Sequence, residues 1–314
     1  MPRELGRPAY PGFARTTQFA ACARGDTRIV IDDSRKALGE FLRTRRTRVT
    51  PRDVGLEPGP RRRVPGLRRE ELALLAGVSP DYYQRMEQGR DLRPSDQVLD
   101  AVARALNLTN EETRHLHNLA TAARAPAQPA REYSPEVVPE TTLRLLRTMT
   151  VPALVVGRFL DVLAWSPLAG TLLGEVTRLP QNERNLLRLL LRPEADEVCP
   201  NRAETVAELT AMLRTQVTAY PGDPSAMKLV EQLSAQSAEF ATLWARHDVE
   251  EPTHGQMHAI HPLAGDMVLD WDAYPIPGAP GTILLVYTSE ESSIDAVRLE
   301  LVASSPQHHR PFTN

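Results

Sequence analysis

Residues 67–83 read LRREELALLAGVSPDYY, and this stretch decides the fold of the first half of the chain. Leu72, Leu75 and Ala76 stand at helical spacing ahead of Gly77, the residue type that most readily adopts the left-handed conformation closing a helix. Ser79 is a favourable N-cap for a second helix whose first residue is proline, where the missing N–H leaves no hydrogen bond unmade. The stretch therefore predicts two short helices joined by a tight turn.

Three further helices are expected around this pair. Apolar residues at helical spacing and capping residues predict helices at Ser34–Arg48, Arg68–Ala76, Pro80–Gln88, from Ser95 to about Leu106, and at Asn110–Ala123. Two short helices joined by a tight turn form the helix-turn-helix of DNA-binding domains, whose second helix enters the major groove. We therefore expect an all-α domain of five helices that binds double-stranded DNA.

The positive charge of the chain is concentrated in its first part. Residues 1–124 contain 23 Lys and Arg against 16 Asp and Glu, a net charge of +7. Residues 125–314 contain 14 Lys and Arg against 24 Asp and Glu, a net charge of −10. A basic segment favours a polyanionic partner, so DNA binding is expected in the first part.

Candidate contacts with DNA bases lie on one face of the second helix of the pair. Tyr83 and Met86 fall toward the first helix and are expected in the core, whereas Asp81, Gln84 and Arg85 point elsewhere. The guanidinium of Arg85 suits guanine and the amide of Gln84 suits adenine. The Asp81 carboxylate either accepts a hydrogen bond from cytosine or stabilises the positive end of the helix dipole in the first turn.

Candidate phosphate contacts surround the two helices. Arg68 and Arg69 open the first helix, whose N-terminus faces the DNA backbone in motifs of this kind. The expected set is Arg61, Arg62, Arg63, Arg68, Arg69, Tyr82, Arg90 and Arg93. The alternative for each arginine is an ordinary solvated charge. Arg43 or Arg46 is instead expected to pair with Glu87 and to stabilise the domain.

The second part of the chain is expected to form an α+β domain. The short apolar runs Ala153–Val156 and Leu160–Trp165 are spaced as a hairpin, and several helices follow, one of them at Asn182–Leu191. Three strands then precede a last helix. This is the order of a PAS-like domain with a five-stranded antiparallel sheet, and the run Ile283–Tyr287, apolar throughout, suits a central strand. The expected division is a disordered extension or mis-assigned start at 1–33, the helix-turn-helix domain at 34–124, a linker at 125–135, the PAS-like domain at 136–305 and a disordered tail at 306–314.

Composition and motifs argue against other classes of protein. No apolar run is long enough to cross a bilayer, and two distant cysteines, Cys22 and Cys199, fit a reducing cytoplasm. No nucleophile elbow, phosphate loop or dinucleotide fingerprint occurs, so neither an enzyme nor a catalytic residue is expected. A metal site at His254, His258 and His261 is a weak alternative, because only the first two share a strand face and no cysteine completes a set.

The chain resembles a known family of regulators over about Ser34 to Ala303. Residues 66–83, followed by EQGR at 87–90, resemble the XRE-type, lambda-repressor-like helix-turn-helix. Beyond the linker, LDVLAWS at 160–166, ERNLLR at 183–188, FATLWARHDV at 240–249 and VYT at 286–288 are similar to the ligand-binding domain of the MmyB-like regulators of actinobacteria. The resemblance implies a PAS-like sensor domain, a homodimer and a bound hydrophobic ligand such as a fatty acid.

Candidate ligand-pocket residues come from apolar helix faces and a strand end in the second part. They are Trp165, Arg184, Leu186, Arg188, Leu190, Met212, Phe240 and Trp244. Arg184 and Arg188 lie one turn apart and suit a carboxylate head group, with surface arginines as the alternative. Each apolar member is otherwise an ordinary core residue.

The sequence thus predicts a cytoplasmic, dimeric transcriptional regulator that binds a palindromic operator and senses a small hydrophobic molecule. It predicts no cofactor apart from such a ligand and no membrane partner. Two alternatives concern the second domain. It is either a protein-interaction module without a small-molecule ligand, or a degenerate enzyme domain with a polar cleft.

Overall fold

The structure is a computed structural model that describes residues 29–57, 62, 64–90, 93–124, 136–251 and 253–305. The helices are α1 (Ile29–Arg48), α2 (Arg69–Ala76), α3 (Pro80–Glu87), α4 (Asp96–Ala105), α5 (Asn110–Arg124), α6 (Glu140–Thr148), α7 (Pro167–Leu173), α8 (Leu186–Leu190), α9 (Arg202–Ala219), α10 (Pro224–Gln236), α11 (Ala238–Ala245) and α12 (Ile294–Ala303). The strands are β1 (Ala153–Val156), β2 (Val162–Trp165), β3 (His254–His261), β4 (Gly265–Pro275) and β5 (Ile283–Thr288). The expected extension up to residue 28, the linker at 125–135 and the tail at 306–314 lie outside the described residues.

The central helix pair forms as the sequence predicts. α2 ends at Ala76, and Gly77 adopts the left-handed conformation with φ of 67°. The side chain of Ser79 accepts a hydrogen bond of 3.1 Å from the backbone N–H of Tyr82 and so caps α3, which begins at Pro80. The closing glycine and the capping serine are separated by Val78 alone, which leaves room for only a short turn between the helices.

Helices α1 to α5 enclose one apolar core. Tyr83 and Met86 of α3 are buried in it, as their spacing predicts, together with Phe41 of α1. Gly39 of α1 lies directly against the end of α3, since a Cβ atom there would come within 2.3 Å of the Glu87 carbonyl oxygen. α1 is therefore held against α3 by backbone contact as well as by apolar packing.

The second part contains a five-stranded antiparallel sheet, as predicted. The strand order is β2-β1-β5-β4-β3, so the uniformly apolar strand β5 is central. β1 and β2 pair as the expected hairpin, with Leu154 opposite Trp165. In β4, Met267 and Leu269 are buried whereas Asp270 is exposed, because successive side chains point to opposite faces of the sheet.

Two helices begin four or five residues away from the start that the sequence predicts. α1 begins at Ile29, five residues before the expected start at Ser34. The helix expected at residues 182–191 is reduced to Leu186–Leu190, because Asn185 leaves the helical conformation. Its buried amide donates to the Phe159 carbonyl at 2.7 Å and to the Asp161 carboxylate at 2.9 Å, while its oxygen caps α8.

The described residues form two compact units, and the expected domain limits at 34–124 and 136–305 stay a prediction. One unit contains the described residues between 29 and 124 together with 210–251, and the other contains 136–209 and 253–305. The boundary falls within α9, so the end of α9 and the whole of α10 and α11 group with the helix-turn-helix. Among the described helices, none combines the length and the apolar character needed to cross a membrane.

Candidate nucleic-acid interface and ligand-binding region

The exposed face of α3 carries the side chains predicted to contact bases. Asp81, Gln84 and Arg85 are exposed, whereas Tyr83 and Met86 on the opposite face are buried. The Arg85 guanidinium lies 3.3 Å from the Asp81 carboxylate, one helical turn away. Exposed pairs of this kind contribute little to stability, so either group can exchange its partner for a base edge at small cost.

The predicted pair between α1 and Glu87 is confirmed for Arg46. The Glu87 side chain is only 1% exposed, and it accepts from Arg46 Nε at 2.5 Å and from Arg69 Nε at 2.6 Å. Arg46 also donates to the Leu67 carbonyl at 2.7 Å. The hydrogen bond to Glu87 raises the pKa of Arg69 above the ordinary value for arginine. One buried carboxylate thus joins α1, α2 and α3, a role for Arg69 that the sequence did not indicate.

Arg62, expected to contact phosphate, binds within its own domain. Its guanidinium donates to both oxygens of the Glu71 carboxylate, at 2.7 and 2.9 Å, and to the carbonyl oxygens of Val64 and Gly66. Glu71 in turn accepts from the Arg68 backbone N–H at the start of α2, at 2.7 Å. The hydrogen bond from Arg62 is the main reason that the pKa of Glu71 is lowered. The Arg62 guanidinium therefore holds the preceding loop on α2.

The other predicted phosphate contacts vary in their exposure. Arg68, Arg90 and Arg93 are exposed, and Tyr82 and Arg69 are half-buried. Arg61 and Arg63 lie outside the described residues. The exposed arginines flank α2 and α3, where cations are suited to the two DNA strands beside the major groove.

The eight predicted pocket residues fall into two groups in different units. In the unit with the sheet, Trp165 packs under the Arg184 guanidinium, whose carbon lies 5.1 Å from the indole centroid. Leu186, Arg188 and Leu190 are half-buried in the same unit. In the unit with α1 to α5, Phe240 stacks on Trp244 with ring centroids 5.6 Å apart, and Met212 is half-buried.

A cavity of about 630 Å³ lies in the unit that contains α1 to α5. Its walls come from α1, α5, α9, α10 and α11, and Trp244 is the predicted pocket residue that lines it. Three polar side chains that the sequence did not single out as a site also line it, namely His115, Arg214 and His247. They lie 33 to 132 residues apart in the chain, and no local pattern connects them.

Family models match both parts of the chain. A helix-turn-helix domain model matches residues 37–116, and a model of the MmyB-like transcription regulator ligand binding domain matches residues 138–302. The second match covers more than half of the chain. The chain belongs to the MmyB-like transcription regulators. No curated protein matches it.

Membership in this family makes the chain a DNA-binding transcription regulator with a ligand-binding domain. In this MmyB-like regulator, residues 210–251 are part of the matched ligand-binding domain and also part of the compact unit that contains α1 to α5. The cavity walls therefore combine residues matched by the two family models. Among the described residues, no group of three or more His, Cys, Asp or Glu side chains is placed to hold a metal ion.

Proposed function

We propose that this MmyB-like regulator is a cytoplasmic homodimer that binds a palindromic operator and changes its operator affinity when a small hydrophobic, fatty-acid-like ligand binds. The family supports DNA binding and a ligand-binding domain. The sequence specificity, the dimer and the fatty-acid-like ligand are the finer parts of the proposal. Two recognition helices of a dimer reach half-sites about 34 Å apart on DNA.

The observation that carries the proposal is the division of α3 into two faces. Tyr83 and Met86 fix the helix in the core, and Asp81, Gln84 and Arg85 extend from its other face. These three side chains supply an acceptor, an amide and a guanidinium, which is the chemistry that distinguishes base pairs in the major groove.

The test is selection of bound sequences from a randomised duplex pool, followed by binding measurements with Arg85→Ala. We expect the wild type to enrich one palindrome and Arg85→Ala to bind it about 5- to 150-fold more weakly, with preference lost mainly at one base of each half-site. Arg68→Ala is the matched control, since it should weaken binding to all sequences alike. Enrichment of no sequence by the wild type would contradict the proposal.

A protein-interaction role for the second part is a second candidate function. Ile294, Val297 and Leu301 of α12 are 62%, 57% and 52% exposed, and they stand at i, i+3 and i+7 on one helix face. Exposed apolar stripes of this kind are suited to a partner helix. Native mass measurement of the purified protein separates the candidates. A bound apolar molecule favours the sensor, and a Leu301→Asp variant that loses a co-purifying protein favours the interaction module.

A further inference from the structure

The buried end of the cavity holds a cation without a carboxylate partner. Arg214 on α9 is 7% exposed, and of the described residues none places a carboxylate oxygen within 4 Å of its guanidinium. Its hydrogen bonds go to neutral acceptors, the Nδ1 atom of His247 at 3.2 Å and the Trp244 carbonyl. Burial lowers the pKa of Arg214 to about 10, although the more distant carboxylates of Glu40 and Asp248 act in the opposite direction, and the guanidinium remains protonated at neutral pH.

The Arg214 guanidinium retains donors for a further partner. A guanidinium has five N–H groups, and the two hydrogen bonds engage two of them. The guanidinium carbon lies over the Trp244 indole, 3.9 Å from the ring centroid. A guanidinium that retains free N–H groups is suited to pair with a carboxylate through two parallel hydrogen bonds.

Two neutral imidazoles stand beside this cation. His115 on α5 is 3% exposed, and its Nδ1 atom has no hydrogen-bond partner among the described residues. Its ring meets the Phe41 ring edge to face at 5.0 Å. His247 accepts from Arg214 through Nδ1 and therefore carries its proton on Nε2, which lies 3.6 Å from the Glu40 carboxylate. A buried polar atom without a partner is costly, so His115 gains from a ligand that hydrogen-bonds to it.

The rest of the cavity is apolar, with charged groups confined to exposed positions. Its walls include Leu119, Val217, Val230 and Ala241, which are buried or half-buried. The exposed charged side chains that line it are Lys36, Glu40 and Glu231. A volume of about 630 Å³ is in the range of sites for small organic molecules. Among the described residues that line the cavity, Arg214 is the buried cation and both carboxylates stand at exposed positions, which suits one negative charge on the ligand and disfavours a phosphate dianion.

We propose that this cavity binds an organic monocarboxylate with a compact apolar body, and that Arg214 pairs with its carboxylate. The apolar body contacts the walls from α5, α9, α10 and α11, and His115 supplies a second polar contact near the head group. The inference rests on the proposed function in one respect, since it names the site and the ligand class of the sensor. It also brings the ligand into contact with α1 and α5 of the DNA-binding domain.

The experiment measures binding of 3-phenylpropionate and octanoate to the full chain, by calorimetry and by tryptophan fluorescence. The neutral amides 3-phenylpropionamide and octanamide have nearly the same shape and serve as matched probes. We expect saturable binding of the acids and binding of the amides about 10- to 100-fold weaker, because a hydrogen bond to a charged group is lost. Equal affinity for acid and amide, or no saturable binding of either acid, would overturn the proposal.

Two variants locate the site. Arg214→Met should abolish the preference for the acid over the amide, and Ala241→Phe should prevent binding of both by filling the cavity while leaving Arg214 in place. Arg184→Met is the matched control, since Arg184 belongs to the other unit and was the candidate from sequence. Circular dichroism establishes that each variant is folded. Loss of acid binding in Arg184→Met, with wild-type binding in folded Ala241→Phe, would place the ligand elsewhere and overturn the proposal.

The acid-binding experiment and the operator-selection experiment can fail independently of each other. Selection of an operator by the wild type needs no added acid. An enriched palindrome together with no acid binding would overturn the site alone. Absence of any enriched sequence together with acid binding that depends on Arg214 would contradict operator recognition and support the site.

Discussion

At the scale of single residues, the DNA-binding domain depends on a buried carboxylate shared by two arginines. Glu87 lies where α1, α2 and α3 meet, and it compensates Arg46, whose side chain is also buried. A buried ion pair contributes only modestly to folding stability, because burying both charges is costly. Removing one partner is strongly destabilising, since the other charge stays buried without a counter-charge.

We expect Glu87→Ala to lower the free energy of unfolding by about 3 kcal/mol or more, because Arg46 then stays buried without a counter-charge. Urea unfolding measures the change. Glu70→Ala is the matched control on α2, where the side chain is exposed, and its effect should stay within about 0.5 kcal/mol. Equal effects of the two variants would show that Glu87 is not structurally important.

The buried His115 makes the unit that contains α1 to α5 sensitive to acid. Burial, and then electrostatic interactions with Arg214, Arg45 and His247, lower the pKa of His115 to about 3. The unfolded chain binds a proton near pH 6.5, whereas the folded protein does not until about pH 3. Stability from this residue is therefore complete above pH 6.5 and decreases as the pH falls, by about 3 kcal/mol at pH 4.5.

His115→Leu should flatten the dependence of unfolding free energy on pH between about 4.5 and 6.5. The measurement is urea unfolding at a series of pH values. Leu116→Ala is the control, because it weakens the same helix by removing a buried apolar side chain and leaves the titration of His115 in place. If His115→Leu and the wild type give parallel curves, the imidazole does not carry the acid sensitivity.

At the scale of elements, the turn between α2 and α3 depends on the backbone conformation of one glycine. Gly77 has φ of 67°, and a Cβ atom there would meet nothing within 4 Å. Gly77→Ala should thus lower the free energy of unfolding by about 1 to 2 kcal/mol, because a residue with a Cβ atom is strained in the left-handed conformation. Gly39→Ala should cost more, since its Cβ would collide with the Glu87 carbonyl. Denaturant midpoints rank the two, and a larger effect at Gly77 would contradict this account.

The elements that could be predicted from the sequence are those fixed by neighbouring residues. Gly77 and Ser79 determine the turn locally, and the spacing of Tyr83 and Met86 determines which face of α3 is buried. The apolar strand β5 is central for the same reason, because its own side chains require burial on both faces.

The features that could not be predicted depend on contacts between distant segments. His115 and Arg214 line one cavity although 99 positions separate them, and nothing near Arg214 distinguishes it from a surface arginine in the sequence. The sequence shows the charge of Arg62 but not that the Glu71 carboxylate lies 2.7 Å from its guanidinium, and the phosphate contact of Arg62 stays a prediction. Asn185 shortened α8 through bonds to residues more than 20 positions away.

At the scale of the whole molecule, the compact units cross the limits of the family domains. Residues 210–251 are matched by the ligand-binding model, yet their contacts are made with α1 and α5. The segment after α11 is tied to α1 by Asp248, which lies 2.5 Å from Arg48 and 3.4 Å from Arg45. Burial raises the pKa of Asp248, but the Arg48 hydrogen bond and the surrounding arginines outweigh it and lower the pKa overall.

Asp248→Asn should loosen this attachment without altering side-chain shape. We expect faster amide hydrogen exchange in α10 and α11, because the charge that holds their C-terminal segment on α1 is removed, and unchanged exchange in β1, β4 and β5 of the other unit. Asp266→Asn, at an exposed position on β4, is the matched control and should leave α10 and α11 at their wild-type rates. Accelerated exchange in the sheet alone, with α10 and α11 unaffected by Asp248→Asn, would mean that residues 210–251 are not anchored to the DNA-binding helices.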